Sequence, residues 1–473
     1  MSAGTISTAD RAALGDSPIV MPAAVLERLL ETIRHRLPRK SFGYLLTAGD
    51  PRRIDDFLIF EANTRNSPDW KGKFEAYGQY FLDHDDAGFV CTPEESWRVQ
   101  KQIWASGMTE AGVFHSHLRH PANFSLIDYD LHTQRYSHIW HLIVSMRNPS
   151  MPQLRVFDVA EGAVREQRVI PDCPDAPPPS EPAGVKTEGE AIAHARDILM
   201  LGPDGLPRCR DNRAILAAID WLRGTGNLEA IDEILARGFL AGSAERFHAL
   251  AAPCLRTLPG GWFQMGTDPA HRRHFVGELP RRRVELSPFR ISAVAVTNEF
   301  YSRFDPSRRA VPAEDRAKPV VAVTWFDATV FALWMGCRLP AESEWEFACG
   351  AGSGAEWACR DESRLPRMAW YSENSGGCLR PVATREPNAF DLYDLHGNVW
   401  EWCVDAYEQD RCVDAATAER VESSCAATHR VCRGGSVHAL AEMCRTRYRF
   451  HDPAGFSASD LGFRLAESTL QRG

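Results

Sequence analysis

Between residues 171 and 190 the chain reads "PDCPDAPPPSEPAGVKTEGE", a stretch that no hydrophobic core can cross. Its six prolines have no amide hydrogen to give a sheet ladder, and its acids and small residues leave little to bury. It reads as an extended linker, so the chain must fold as separate units on either side. The length agrees, since 473 residues exceed what one core organises.

Upstream, residues 18–170 mix helical and strand patterns. "AAVLERLLETIRHRL" places Val25, Leu26, Leu29, Leu30, Ile33 and Leu37 on one helical face. "SFGYLLTAG", "DDFLIFEAN", "EAGVFHSH" and "IWHLIVSM" are strand candidates separated by turns. Downstream, residues 191–250 read as a helical spacer. Within it Ile215, Ile219 and Leu222 keep helical spacing, "GTGN" supplies a turn, Asn227 an N-cap and Gly238 a C-terminal stop. From 254 to 470 the texture changes to short strands rich in glycine and tryptophan, with "VTWFDATVFALWMGCRLPAESEWEFAC" as a helix, turn and helix.

A formal net charge of −9 argues against nucleic acid as a main partner, because phosphate binding needs a basic footprint. No apolar run approaches bilayer-spanning length, and the first residues lack the basic and apolar regions of a secretory signal. A cytosolic protein is expected, with no membrane partner and with reduced thiols. Of the 13 cysteines only Cys91, Cys173 and Cys209 precede residue 250, a distribution that suits buried thiols better than a disulfide framework.

"GVFHSHLRHPANFSLIDYD", residues 112–130, carries the chemistry of the first unit. His115 and His117 are two apart, so on a strand both imidazoles project from one face. With Asp128 they form a donor set that suits Zn²⁺ with one coordination position left open. The same letters also read as a plain strand and a capped helix, since Ser125 to Asp128 is a capping box.

The spacing His-Ser-His, seven residues, Ser, two residues, Asp resembles the signature of the JAMM (MPN) metalloproteases. These cleave amide or isopeptide bonds at the C-terminal tails of ubiquitin-like and sulfur-carrier proteins. The resemblance implies a cytidine-deaminase-like α/β fold, zinc on His115, His117 and Asp128, and Ser125 as the donor to the oxyanion. Ser116 has no direct role in the family, and His120, His132, His138 and His141 match no family position, so they read as ordinary residues. The family's general-base glutamate, three residues before Gly43, is here Lys40. Glu110, five residues from His115, is expected on the opposite face of the strand, and Glu61 is a possible substitute. Metal binding is therefore better supported than turnover.

"LPGGWFQMGT", "AVTNEFY", "PVVAVTWFDA", "RLPAESEWEFA", "DLHGNVWEWC", "CRGGSV" and "DLGFRLA" follow one another between residues 258 and 466. Together they resemble the formylglycine-generating enzyme (sulfatase-modifying factor) family, whose fold is related to C-type lectins. Residues themselves suggest that Trp325, Trp334, Trp345, Trp400 and Trp402 are core. Ala341 or Ser343 starts a helix anchored by Trp345 and Phe347. Gly434 and Gly435 fit positive φ or close approach, and Arg445, Arg447 and Arg449 alternate along a strand candidate and pair with acids or line a site. The resemblance adds a Ca²⁺ site at Asn398, the Val399 carbonyl and Glu401. It also implies a Cu⁺ site of two cysteines, of which only Cys444 is present; the other position is Ala439, with Cys432 nearby in sequence. Bound Cu⁺ is accordingly not expected.

The fold class expected is α+β and multidomain: a JAMM/MPN-like unit, a helical spacer, and a formylglycine-generating-enzyme-like unit. The leading functional expectation is zinc-dependent amide hydrolysis at the tail of a ubiquitin-like or sulfur-carrier protein, with an E1-like activating enzyme as a further partner. Cysteine oxidation at Cys444 and a scaffold with two degenerate sites are the alternatives.

Overall fold

The computed structural model describes residues 19–61, 63, 64, 67, 89–122, 124, 128, 132, 139–160, 163–167, 169–172, 251–268, 276–304, 308, 310–407 and 429–468. The chain divides into two compact units between Pro178 and Pro179, inside the proline-rich stretch. The spacer at 191–250 and its predicted caps, Asn227 and Gly238, lie outside the described residues.

In the first unit β1 (Ile19–Pro22) leads into α1 (Ala23–Arg36), then β2 (Phe42–Thr47) and β3 (Asp56–Ile59). After α2 (Pro93–Ser106) come β4 (Thr109–His117), β5 (Trp140–Ser145), β6 (Gln153–Ala160), β7 (Ala163–Gln167) and β8 (Val169–Asp172). Six of these strands form one mixed sheet in the order β3-β2-β4-β5-β6-β7, in which only β4 and β5 run parallel. The outer strands β1 and β8 pair with each other, also in parallel. β8 includes Pro171 and Asp172, which the sequence reading gives to the linker.

The period-two pattern of the strands decides what covers each face. Leu45, Phe114, Leu142 and Val144 face α1, whose Val25, Leu29 and Ile33 are buried against them. Each of those three side chains contributes roughly 1.5–3 kcal/mol by leaving water. On the opposite face Phe42, Tyr44 and Leu46 pack with Val99 and Ile103 of α2. That helix starts at Thr92, whose side chain accepts from the Glu95 amide, and ends at Gly107 with φ 72°. Further along the same face, Phe124, Ile143 and Phe157 form a small cluster. Gly43 has no alternative: a Cβ there would lie 2.0 Å from the Leu58 carbonyl oxygen.

The second unit begins with β9 (Leu255–Leu258), the hairpin β10 (Gly261–Met265) and β11 (Arg282–Leu286), and β12 (Phe289–Ser292). Among the described residues the two longer helices that follow are α3 (Trp325–Trp334) and α4 (Glu342–Gly350), then come β13 (Trp400–Ala406), β14 (His429–Arg433), β15 (Phe450–Pro453), β16 (Leu461–Phe463) and β17 (Ala466–Ser468). Three small sheets result, ordered β10-β11, β17-β12-β9 and β15-β14-β13-β16. Ala341 is the N-cap of α4, and the Glu344 carboxylate accepts from its amide at 2.9 Å. Trp325, Trp345, Trp400 and Trp402 are buried as expected. The side chain of Trp334 lies outside the described residues.

What fills this core besides tryptophan is charge. Arg464 forks onto both Glu401 oxygens at 2.6 and 2.7 Å, and the Trp345 indole N–H donates to the same carboxylate at 2.7 Å. Arg433 pairs with Glu346, Arg449 with Glu342 at 2.7 Å, and Arg445 with Glu278 at 2.6 Å, all buried. Arg445 and Arg449 thus meet acids, while Arg447 donates to the Gly354 carbonyl instead. The three do not lie on one strand, because β15 starts only at Phe450. Among the described residues, no helix is long and apolar enough to cross a membrane.

Removing one partner of a buried pair leaves the other charge uncompensated. Glu401→Ala should therefore cost the second unit about 3–5 kcal/mol, read as an earlier urea transition in tryptophan fluorescence. An unchanged midpoint would show that the Arg464 fork does not hold the core together.

Candidate metal centre

His115 and His117 end β4, and their Nε2 atoms face each other at 2.8 Å. The Asp128 carboxylate comes within 3.5 Å of His115 Nε2. Among the described residues these three form the one group of His, Cys, Asp or Glu that offers three ligand atoms within 4.8 Å. Ser125, the expected oxyanion donor, lies outside the described residues.

Strand pairing builds the surroundings. Phe42 lies opposite His115 in the β2–β4 register, and Lys40, two residues before β2, is near enough for its charge to act on His115 and His117. Ser116, on the other face of β4, accepts the Ser41 amide on Oγ at 2.8 Å and locks this end of the pair. On the parallel side His141 pairs with Val113, one diagonal step from His115. Its Nε2 lies 2.8 Å from His115 Nδ1, and its Nδ1 lies 3.0 Å from His132 Nδ1. His141 and His132 are buried and belong to the cluster, contrary to the expectation that they are ordinary residues. His138 lies outside the described residues. His120 places its ring edge-on to His117, with centroids 6.1 Å apart.

Burial, and after it the charge of Lys40, holds the His115 imidazole well below its ordinary value. The same two causes bring His117 down to about 4, against an opposing pull from Asp128. His141 is also lowered to about 4, chiefly by burial. All three are therefore neutral near pH 7, the state in which a ring nitrogen can bind a metal. His117 Nδ1 lies 2.6 Å from the Pro121 carbonyl oxygen, which can only accept, so this nitrogen carries the hydrogen and Nε2 is bare. Two ring nitrogens at 2.8 Å need a proton or a cation between them. The set is compact for zinc, since two nitrogens about 2.05 Å from a tetrahedral ion lie roughly 3.3 Å apart. In kind and number, and in the tautomer of His117, the donors nevertheless fit that ion.

Neither glutamate replaces the missing base. Glu61 pairs with Arg36 at 2.6 Å. Glu110 corrects the expectation in another way. A register shift pairs Leu46 with Glu110 although Leu45 pairs with Gly112, and this bulge returns Glu110 to the face of His115. It remains five residues along the strand, about 16 Å away.

In the second unit the calcium set does not fit. Both Glu401 oxygens are taken by Arg464, with Trp345 on one of them. The Asn398 side chain accepts the Arg380 amide and donates to the Arg380 carbonyl. The Val399 carbonyl would be left without either expected companion. The thiol position is better defined. Gly434 and Gly435 do adopt positive φ, 99° and 75°. A Cβ on Gly435 would lie 2.5 Å from Cys444 Sγ and 3.2 Å from the Ala439 methyl. Ala439 and Cys444 thus flank the same spot, with a methyl where the resemblance puts the second thiol. Cys432 does not replace it: it sits within the sheet between Trp402 and Phe450. Cys349 is a nearer neighbour, lying 3.7 Å from the His396 ring whose Nδ1 donates to the Cys444 carbonyl. Burial pushes the Cys444 thiol up, and the Cys349 thiol up to about 12.

The model of the sulfatase-modifying factor enzyme 1-like domain matches residues 242–469. The formylglycine-generating enzyme of Thermomonospora curvata is 30% identical over 283 residues, and the match covers 45% of this chain and 93% of that enzyme. Through its second unit, the chain belongs to the sulfatase-modifying factor family. The inactive Cα-formylglycine-generating enzyme 2 of Mus musculus is 29% identical, over 46% of this chain and 86% of that protein. The serine/threonine-protein kinase pkn1 of Chlamydia pneumoniae is 32% identical over 45% of this chain, but the match spans only 37% of the kinase. Over the first unit, a JAB1/MPN domain protein from Archaeoglobus fulgidus is 17% identical, covering 32% of this chain and 99% of that one. Its TM-score is 0.19.

The lowered imidazoles set a pH dependence. Unfolded histidines take up protons near pH 6.5, whereas His117 and His141 stay neutral until about pH 4 in the folded unit and His115 is likewise held well below its ordinary value. In metal-free protein the first unit should therefore be most stable above pH 6.5 and weaken steadily toward pH 4. Urea unfolding across that range checks this, and His141→Phe should flatten the slope.

Proposed function

We propose that the first unit is a zinc-dependent hydrolase centre that cleaves an amide or isopeptide bond at the C-terminal tail of a ubiquitin-like or sulfur-carrier protein. The observation that carries this reading is the convergence of His115, His117 and Asp128 within 4.8 Å. These residues would hold the ion. When bound, zinc supplies a Lewis acid that polarises a carbonyl and lowers the pKa of water. The Pro121 carbonyl keeps His117 in the tautomer that presents Nε2. Lys40, whose charge acts on His117, brings a positive charge where the family places a carboxylate. Such a charge stabilises an oxyanion and does not accept a proton, which separates metal binding from fast turnover. In this reading the second unit recognises or modifies the same client protein.

Purified protein should hold about one zinc per chain, lost in His117→Ala, by elemental analysis. Cleavage of a ubiquitin-like tail fusion should be slow and should rise at least tenfold in Lys40→Glu. Absence of zinc from wild-type protein would remove the hydrolase reading. Zinc binding without cleavage by either protein would leave a metal site of another purpose.

A second reading, cysteine oxidation of the formylglycine-generating type, draws on family membership and on Cys444. The methyl of Ala439 beside Cys444 Sγ speaks against it, because Cu(I) favours two thiolates. Titration with Cu(I) should show no tight, Cys444-dependent site; such a site would restore this reading.

A further inference from the structure

Four buried or half-buried imidazoles stand in a row at the metal centre: His117, His115, His141 and His132. Sequence reasoning assigns the last two nothing, and the hydrolase reading does not use them. Their contacts fix one another's hydrogens. The Pro121 carbonyl requires a hydrogen on His117 Nδ1, so His117 Nε2 is bare. Without metal, His115 must therefore carry its hydrogen on Nε2 to meet that nitrogen at 2.8 Å. His115 Nδ1 is then an acceptor, and His141 must donate to it from Nε2. His141 Nδ1 in turn accepts from His132 Nδ1. Every hydrogen in the row points toward His117.

A cation between His115 and His117 needs both Nε2 atoms bare, and that requirement reverses the row. We propose that His141, backed by His132, is the positioning partner of His115, and that metal binding inverts the tautomers of His115, His141 and His132 together. This inference rests on the metal reading of His115, His117 and Asp128. The N–H bonds at His115 Nε2, His141 Nε2 and His132 Nδ1 break. Those at His115 Nδ1, His141 Nδ1 and His132 Nε2 form. One proton leaves at the metal face and one is taken up at His132, so each ring stays neutral and the count is unchanged. In the inverted state His115 Nδ1–H donates to His141, the orienting bond that metal-bound imidazoles require.

The test uses the full chain labelled with ¹⁵N-histidine, with zinc alone as the probe. Long-range ¹H–¹⁵N correlation spectra distinguish the two neutral tautomers before and after loading. Three rings should switch on addition of zinc while His117 keeps its hydrogen on Nδ1. In His141→Phe, zinc affinity should fall about 10–100-fold in a chelator competition, and His132 should no longer respond. In His141→Gln, whose amide oxygen can still accept from His115 Nδ1, affinity should recover while His132 remains unresponsive. Zinc uptake with unchanged His141 and His132 signals would overturn the relay and leave the metal site standing. Equal affinity in wild type and His141→Phe would do the same, and failure of wild type to take up zinc would remove both.

Discussion

The pairing of β4 with β2 on one side and with β5 on the other determines which residues can meet around His115. A strand shows alternate residues to one face, so His115 and His117 share a face only while the register holds. Phe42 comes to that face from β2, and His141 comes from β5. A slip of one residue would turn both ligands toward α1 and put Phe114 and Ser116 in their place. The apolar face under α1 resists such a slip, since Phe114 would lose its burial among Leu45, Leu142 and Val144. Packing on the silent side of the sheet therefore holds the chemical side in register.

In the second unit, electrostatics takes over part of the work that packing does in the first. Regular elements are short, and the residues between them would have little to fix their positions without Arg433, Arg445, Arg449 and Arg464. Each guanidinium reaches between segments far apart in sequence, as Arg445 does to Glu278. Planar, forked donors suit this task better than ammonium groups do. The same economy explains why Glu401 is unsuited to calcium: its two oxygens are already committed to a guanidinium and an indole.

Much of the architecture could be read before any coordinates. The apolar face of α1, the strands β2 to β5 and the helical pair α3 and α4 follow from periodicity alone. α2 carries its own marks in the sequence, with Thr92 and Pro93 at its start and Gly107 at its end. Other features are not local. The bulge that returns Glu110 to the face of His115 depends on the partner strand, and so does the meeting of His141 with His115. Ala439 beside Cys444 was legible from motif alignment, whereas Cys349 beside His396 required the fold. The acids that partner the buried arginines are likewise far away in sequence, beyond any pattern of spacing.

Both units close on themselves in the same manner. In the first, the opening strand β1 lies directly against the closing strand β8, with Ile19 beside Val169. In the second, β9 and β17 flank β12, so the first and last strands are separated by a single strand. A folded body whose entry and exit adjoin is a cassette: it can be spliced into a host chain, or lost from one, without pulling its interior apart.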